Sequence, residues 1–356
     1  MTESVKLHKQ KKSKTKKYYF FNLSVAIMQS IIQSKRATKA SEIIQAPFVV
    51  PATERRIIMK KKLLACLLMG AMVVSAGLTG CESSDSQKSE GSSSEDKVLR
   101  LGIECTFAPY NWTQETEDLP NGDKAVKIEN ADGYAYGYDV ALAQKICNQL
   151  GWDLEVYKSD WTAIFMGLED KTFDCIMSGV CYSEERDQTY DFTSAYYERT
   201  IKAIVREDSE FANVTKLSDF DGMHPKVIAQ MGTNFTEYKD QIPSYEDAVD
   251  YENVSELFLA IQNSTADVLI TDLATSESAL NTMTGLKMLD LDPDDNFVAP
   301  EGASNDCCIL FRGGDEECQT VQKAMDDMGW TADTEEGLQA MNDLMSEMIK
   351  LQPSNN

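Results

Sequence analysis

Residues 98–105 (VLRLGIEC) are apolar at most positions, which predicts a buried strand, and 152–157 alternates, with Leu154 and Val156 facing one way. Residues 138–150 (YDVALAQKICNQL) follow a longer period. Ala143, Ile146, Cys147 and Leu150 share one helical face, Asp139 lies in the first turn and Gly151 just past the end. Asp160 can cap a short helix through Leu168, and 173–180 (FDCIMSGV) reads as a buried strand. Further short strands are predicted at 200–205, 226–230 and 266–271, with a helix at 254–262 between the last two. Residues 316–328 and 334–351 form two amphipathic helices. Met341, Met345 and Met348 recur there at helical spacing, which marks them as core rather than copper ligands. Strands interleaved with helices predict an α/β fold with mainly parallel sheets and function at strand ends. No internal repeat is visible.

Upstream of this region the pattern changes twice. Lys60, Lys61 and Lys62 precede an uncharged, largely apolar run from Leu63 to Leu78, which ends in Leu78-Thr79-Gly80-Cys81. A basic start, a short apolar core and small residues before the cut make a secretory signal. A transmembrane helix is the alternative, but the run falls short of about 20 residues and is rich in Gly and Ala. Residues 1–58, lysine-dense between Lys6 and Lys17, form no recognisable domain; a start assigned too far upstream, with Met59 as the true start, accounts for them. Residues 82–96 (ESSDSQKSEGSSSED) hold seven serines and no apolar residue. Such a stretch cannot bury a core and reads as a disordered tether, spanning roughly 50 Å when stretched.

Charge then narrows the partners. Beyond residue 62 the chain holds 19 Lys+Arg against 55 Asp+Glu, a net charge near −36. That disfavours nucleic acid and anionic lipid as partners, and any membrane contact must come from an attached lipid. After the signal only His224 remains, which leaves no His-rich metal site and no ordinary Ser-His-Asp or Cys-His pair. Seven cysteines remain besides Cys81, none in a CxxC and several inside predicted elements, so buried small apolar residues are the better reading than a disulfide framework.

The order of motifs is similar to that of a known family. LGIECTFAPYNW, GYDVALAQKI and DWTAIFMGLEDKTFDCIMSGVCYSEERDQTYDFTSAYY resemble the first lobe of extracellular solute-binding protein family 3, the binding subunits of polar amino-acid ABC transporters. KLSDFDGMHPKVIAQMGTNFTEY and ADVLITDLATSESAL resemble its second lobe, and LTGC resembles a lipobox with Cys81 as the lipid-bearing residue. The resemblance implies a periplasmic-binding-protein-like type II fold: two α/β lobes joined by two hinge strands with the ligand cleft between them. It divides the chain into a signal peptide (59–80), a tether (81–96), lobe one (97–200 plus 304–356) and lobe two (201–303). The crossings would fall near 199–202 and 302–306. No cofactor is implied, and the protein would be a monomer.

A free amino acid is a zwitterion, so its site needs a cation, an anion and a place for the side chain. Arg186 follows an apolar strand in SGVCYSEER, where Ser183 can cap a helix and the guanidinium can grip a carboxylate through two parallel bonds. The resemblance places the carboxylate-binding arginine here; the alternative is a surface arginine paired with Glu184 or Glu185. Ser178, Gly179 and Cys181 match strand-end positions that face the ligand, Cys181 standing where Thr or Ser is usual. Asp272 ends a strand and begins a helix, matching the ammonium-binding carboxylate, and a plain helix cap is the other reading. Gly232, Thr233 and Asn234 lie at a helix start that favours an anion, and Gln230 matches a polar contact from lobe two. Phe107 and Trp161 fall where the family stacks a ligand between rings, although each is also a plausible core residue. Glu104 could meet a cationic or amide side chain. Tyr110, Trp112, Tyr134, Tyr136 and Tyr138 are expected to line or flank the cleft mouth.

Three functions fit these residues. The first is a lipid-anchored extracytoplasmic receptor that binds a polar or cationic amino acid by lobe closure and delivers it to an ABC permease. The second is a solute sensor for a membrane receptor or kinase. The third is an enzyme resembling cyclohexadienyl dehydratase, for which Glu104 is the visible proton-transfer candidate. The first, a binding protein rather than an enzyme, is the expectation carried forward.

Overall fold

The computed structural model describes residues 97–353; the upstream extension, the signal segment, the tether and Cys81 lie outside them. In the first sheet β1 (Val98–Ile103) lies next to the edge strand β6 (Asp153–Lys158) and runs parallel to it and to β7 (Cys175–Ile176) on the other side. β15 (Ala303–Arg312) continues the sheet antiparallel to β7, β8 (Cys181–Ser183) and β9 (Tyr190–Glu198). Leu101 and Ile103 are fully buried, as the apolar run requires. The helix α1 (Tyr138–Leu150) has the predicted bounds. Its end is fixed by Gly151 in the left-handed region, with the following Trp152 N–H returning to the Cys147 carbonyl.

The second sheet runs β12 (Glu246–Asp247), β11 (Lys226–Ile228), β13 (Val268–Asp272), β10 (Ile201–Arg206), β14 (Leu286–Met288). Its first three strands are parallel, while β10 is antiparallel to both neighbours. The helices α4 (Val254–Gln262) and α5 (Leu273–Thr282) flank β13 in sequence, and Phe220, Phe235 and Tyr238 fill a core of this lobe. A third, small sheet carries β2 (Thr106–Phe107), β3 (Asn111–Gln114), β5 (Tyr134–Tyr136) and β4 (Val126–Lys127). It anchors the polar segment 114–132, which Gln144 and Glu347 tie down through Lys124 O and Asn121.

The chain leaves the first sheet at Glu198 and enters the second at Ile201, so Arg199 and Thr200 make the first crossing. The return comes into β15, and the Arg199 N–H donates to the Asn305 carbonyl at 3.1 Å. The two crossings therefore run side by side. The helices α6 (Glu316–Asp327) and α7 (Glu335–Leu351) are capped by Asp315 and Thr334, and Met341, Met345 and Met348 are buried as expected. Among the described residues no helix is long and apolar enough to cross a membrane.

Four expectations need correction. The sheets are mixed rather than mainly parallel, because β15 runs antiparallel to β7, β8 and β9, β10 runs antiparallel to both its neighbours, and the small sheet is antiparallel throughout. The strand expected over 173–180 is regular only at Cys175–Ile176, because Gly179 takes φ +61° and turns the chain toward the cleft. The longest strands, β9 and β15, are absent from the sequence-based reading. Asp160 occupies the N-cap position of α2 (Trp161–Glu169), but its side chain makes no capping bond. The Thr162 N–H is met instead by Glu252 Oε1 of the second lobe, at 2.9 Å.

Candidate functional site

A cavity of about 10 Å³, room for roughly one water, lies between the lobes. Lobe one supplies Phe107, Trp161, Ser178, Gly179, Cys181 and Arg186; the crossing supplies Arg199; lobe two supplies Gln230, Thr233, Asn234 and Phe235. The walls are held together across the cleft. Gln230 Nε2 donates to Glu104 Oε1 at 3.1 Å, Trp161 Nε1 to the Gly232 carbonyl at 3.1 Å, and Thr162 to Glu252. These contacts close the cleft, so entry of an amino acid requires them to part.

The lobe-one wall follows from a strand that ends at a glycine. Gly179 has φ +61°, and a Cβ there would come within 2.7 Å of the Phe107 ring, so only glycine lets the chain pass under that ring. The turn carries the chain into β8 and the short helix α3 (Glu184–Asp187), where Ser183 Oγ accepts from the Arg186 N–H as expected. The Arg186 guanidinium lies over Phe165 at 5.1 Å and Trp161 at 5.8 Å, and its Nη1 donates to the Cys181 carbonyl at 3.0 Å. It makes no pair with Glu184 or Glu185. Burial, opposed by Cys181 and aided by Arg199, lowers its pKa from the ordinary value. Each aromatic candidate has one face already occupied: Phe107 stacks on Tyr110 at 4.7 Å, and Trp161 carries Arg186.

On the lobe-two side, Thr233 Oγ1 accepts from the Phe235 N–H and opens a 3-10 helix, Asn234–Gln241. Glycine suits position 232, where φ is +74° and a Cβ would lie 3.4 Å from the Trp161 indole nitrogen. Its carbonyl, not its side, is what meets lobe one.

Nine of the twelve expected ligand-binding residues line the cavity; Glu104, Gly232 and Asp272 do not. Glu104 sits one bond behind the wall, 5 % exposed, holding Gln230 and receiving the Ser178 hydroxyl at 3.3 Å. Burial pushes its carboxyl up to about 8, against those two hydrogen bonds. Asp272 is fully buried. Its oxygens accept from Thr275 N at 3.0 Å, Thr275 Oγ1 at 2.9 Å and Tyr110 OH at 3.3 Å, so it caps α5. The aromatic residues expected at the cleft mouth do not line the cavity. Tyr110, Tyr136 and Tyr138 are buried in lobe one, where Tyr138 packs against Tyr110, Tyr196, Tyr197 and Trp330. Their sequence neighbourhood pointed to the cleft, but Tyr136 is buried on β5, Tyr138 in the first turn of α1, and Tyr110 between β2 and β3 with its hydroxyl on Asp272.

Two lining residues went unforeseen, Arg199 and Phe235. Arg199 is 6 % exposed; its Nη2 donates to Cys181 Sγ at 2.7 Å and Asn234 Oδ1 at 3.1 Å, and its Cζ lies 4.5 Å from the Phe235 ring centre. Burial alone would raise the Cys181 thiol pKa, but a contact with Cys307 at 4.0 Å and the two guanidinium groups bring it below its ordinary value. All seven described cysteines are buried. Among the described residues no cluster of His, Cys, Asp and Glu is arranged to hold a metal ion.

Two lobes on mixed sheets, two adjacent crossings and a cavity lined from both sides define a type II periplasmic-binding-protein fold. Solved structures share it. An amino-acid ABC transporter substrate-binding protein from Streptococcus pneumoniae, bound to L-arginine, superposes with a TM-score of 0.55 at 21 % identity, covering 72 % of this chain and 97 % of that one. An ancestral arginine-binding protein bound to glutamine gives 0.53 at 23 %, covering 69 % and 96 %. Residues 99–350 match the profile of bacterial extracellular solute-binding proteins, family 3, and the chain belongs to that family. Among its relatives, the arginine-binding extracellular protein ArtP of Bacillus subtilis is 27 % identical over 76 % of this chain and 93 % of its own length. The L-cystine-binding protein TcyJ of Escherichia coli is 26 % identical over 58 % and 70 %.

Proposed function

We propose that this protein is the ligand-capturing subunit of an ABC transporter for a polar amino acid, held on the outer face of the cell membrane by a lipid on Cys81. One observation carries the reading: a half-buried arginine, Arg186, with no carboxylate partner among the described residues, faces an interlobe cavity walled by Phe107, Trp161 and the 3-10 helix start at Thr233. The guanidinium takes the α-carboxylate through paired hydrogen bonds. Asp272, one strand from the crossing, takes the ammonium once Tyr110 yields. Because the ligand's two charges are attached to one carbon and the residues that hold them belong to different lobes, binding favours closure by its differential affinity for the closed form. The closed shape is what the permease reads.

A thermal-shift and calorimetric screen of the twenty amino acids against the purified protein tests this. At 100 times Kd, a true ligand stabilises by about 2.7 kcal/mol. The absence of any amino-acid ligand would overturn the reading. The anchor is tested separately: Cys81→Ser should move the protein from the membrane to the soluble fraction, and a variant that stays membrane-bound would remove the lipid from the proposal.

A further inference from the structure

The cavity carries more positive charge than one α-carboxylate can use. Arg186 and Arg199 both line it, and the hydrogen bonds of their side chains go to the Cys181 carbonyl, the Cys181 sulfur and the Asn234 amide oxygen, none of them a carboxylate. Nη2 makes both of the Arg199 side-chain bonds, while its Nε is buried with no partner among the described residues. A buried guanidinium edge without an acceptor is uncommon, because leaving such a group unpaired is unfavourable. The nearby carboxyl groups are turned elsewhere: Asp272 to Thr275 and Tyr110, Glu104 to Ser178 and Gln230. The Arg199 guanidinium lies over the Phe235 ring, its Cζ 4.5 Å from the ring centre, and the Nε edge is left uncommitted.

We infer that the ligand is an acidic amino acid, its side-chain carboxylate held by Arg199 and its α-carboxylate by Arg186. This rests on the amino-acid receptor reading above and replaces the cationic ligand expected from Phe107, Trp161 and Glu104. Two guanidinium groups and the Asp272 carboxylate then meet two carboxylates and an ammonium, group for group. The named relatives do not decide the matter, since one is named for arginine and the other for cystine. Arg199 stands on the crossing, so a ligand bound to it touches the segment that must bend when the lobes close.

Calorimetric titration of the purified protein with L-glutamate, L-aspartate, their amides and L-arginine tests the inference. One of the acids should bind at least about 100-fold tighter than its amide and than arginine, because the amide leaves a buried guanidinium unpaired. Arg199→Gln should weaken the acid about 100-fold and the amide less than about 10-fold, and Arg199→Lys should recover part of the loss. An amide or arginine binding as tightly as the acids overturns the inference and leaves the receptor reading intact. Equal weakening of acid and amide in Arg199→Gln also overturns it, making Arg199 a hinge support. If no amino acid binds, both readings fall. Should Arg199→Gln not fold, the wild-type preference and the lysine variant decide.

Discussion

Two arginines reach one cavity from regions that the chain builds very differently. Arg186 comes from a strand-turn-helix unit in which each local feature has a visible cause: an apolar strand, a glycine that bends it, and a serine that caps the next helix. Arg199 comes from a two-residue crossing between sheets, where nothing local marks it. Its burial is a product of two lobes meeting. The comparison separates residues placed by their own neighbourhood from residues placed by closure, and each should fail differently when altered.

The largest effect is expected at Arg186. Arg186→Ala removes one partner of a desolvated charge pair, which costs about 2–5 kcal/mol of binding, roughly 30- to several thousand-fold. Thermal stability should stay within about 1 kcal/mol, since the capping bond at Ser183 uses the main chain of residue 186. Calorimetry showing near-wild-type affinity would remove Arg186 from the site. Asp272 offers a sharper division, because the structure gives it a capping role of its own. Asp272→Ala should lose both binding and about 1 kcal/mol of stability. Asp272→Asn can still accept from the Thr275 N–H, so it should lose binding by at least about 30-fold with little loss of stability. If the Asn variant binds normally, Asp272 is a cap and nothing more.

Glu104 tests the wall behind the cavity through pH. Its carboxyl titrates near 8 in the folded chain against an ordinary value of 4.5, so the folded state holds the proton more tightly than the unfolded one. The stability this confers is full below about pH 4.5 and is lost as pH rises through about 8, on the order of a few kcal/mol. Glu104→Gln keeps a neutral group of the same size and should not show that loss. Asp139, also buried and raised, titrates in both proteins, so the difference between their Tm profiles isolates Glu104. The gap in Tm should widen by roughly 5–10 °C between pH 5 and 9; parallel profiles would mean that Glu104 is already ionised at neutral pH.

What the sequence made legible divides along the same line. The helix Tyr138–Leu150 carries its own period and its own stop, and Ser183 its own cap, so both could be read from neighbours. β9 and β15 could not. Tyr190–Glu198 is polar at half its positions, and Ala303–Arg312 begins with four residues that are only half-buried, because both strands run out of the sheet into the crossings. The tyrosines misled for a related reason: proximity in sequence to the ligand motifs says nothing about which side chains of a strand, a turn or a first helical turn face inward. Arg199 stayed hidden because its partners, Cys181, Asn234 and Phe235, are at least 18 residues away.

The smallest expected effect concerns a contact that exists only while the lobes touch. In α2 the first-turn N–H and hydroxyl of Thr162 both donate to Glu252 Oε1, at 2.9 and 2.7 Å, so lobe two completes a helix end of lobe one. Asp160 stands at the N-cap with extended backbone and its side chain unused for capping. When the lobes part, that side chain can rotate onto the N–H that Glu252 releases, as an N-cap aspartate ordinarily does. The exchange makes closure nearly neutral at this point, since one cap replaces another. Glu252→Ala should therefore weaken ligand binding only about 2- to 5-fold, a shift of roughly 0.5–1 kcal/mol toward the open form. The radius of gyration without ligand should rise slightly in X-ray scattering. Asp160→Ala should act in the opposite sense, because it leaves the open form without a substitute cap and makes the Glu252 contact worth more. If both substitutions shift affinity in the same direction, the two carboxylates are not exchanging one role, and the contact is a surface bond with no part in closure.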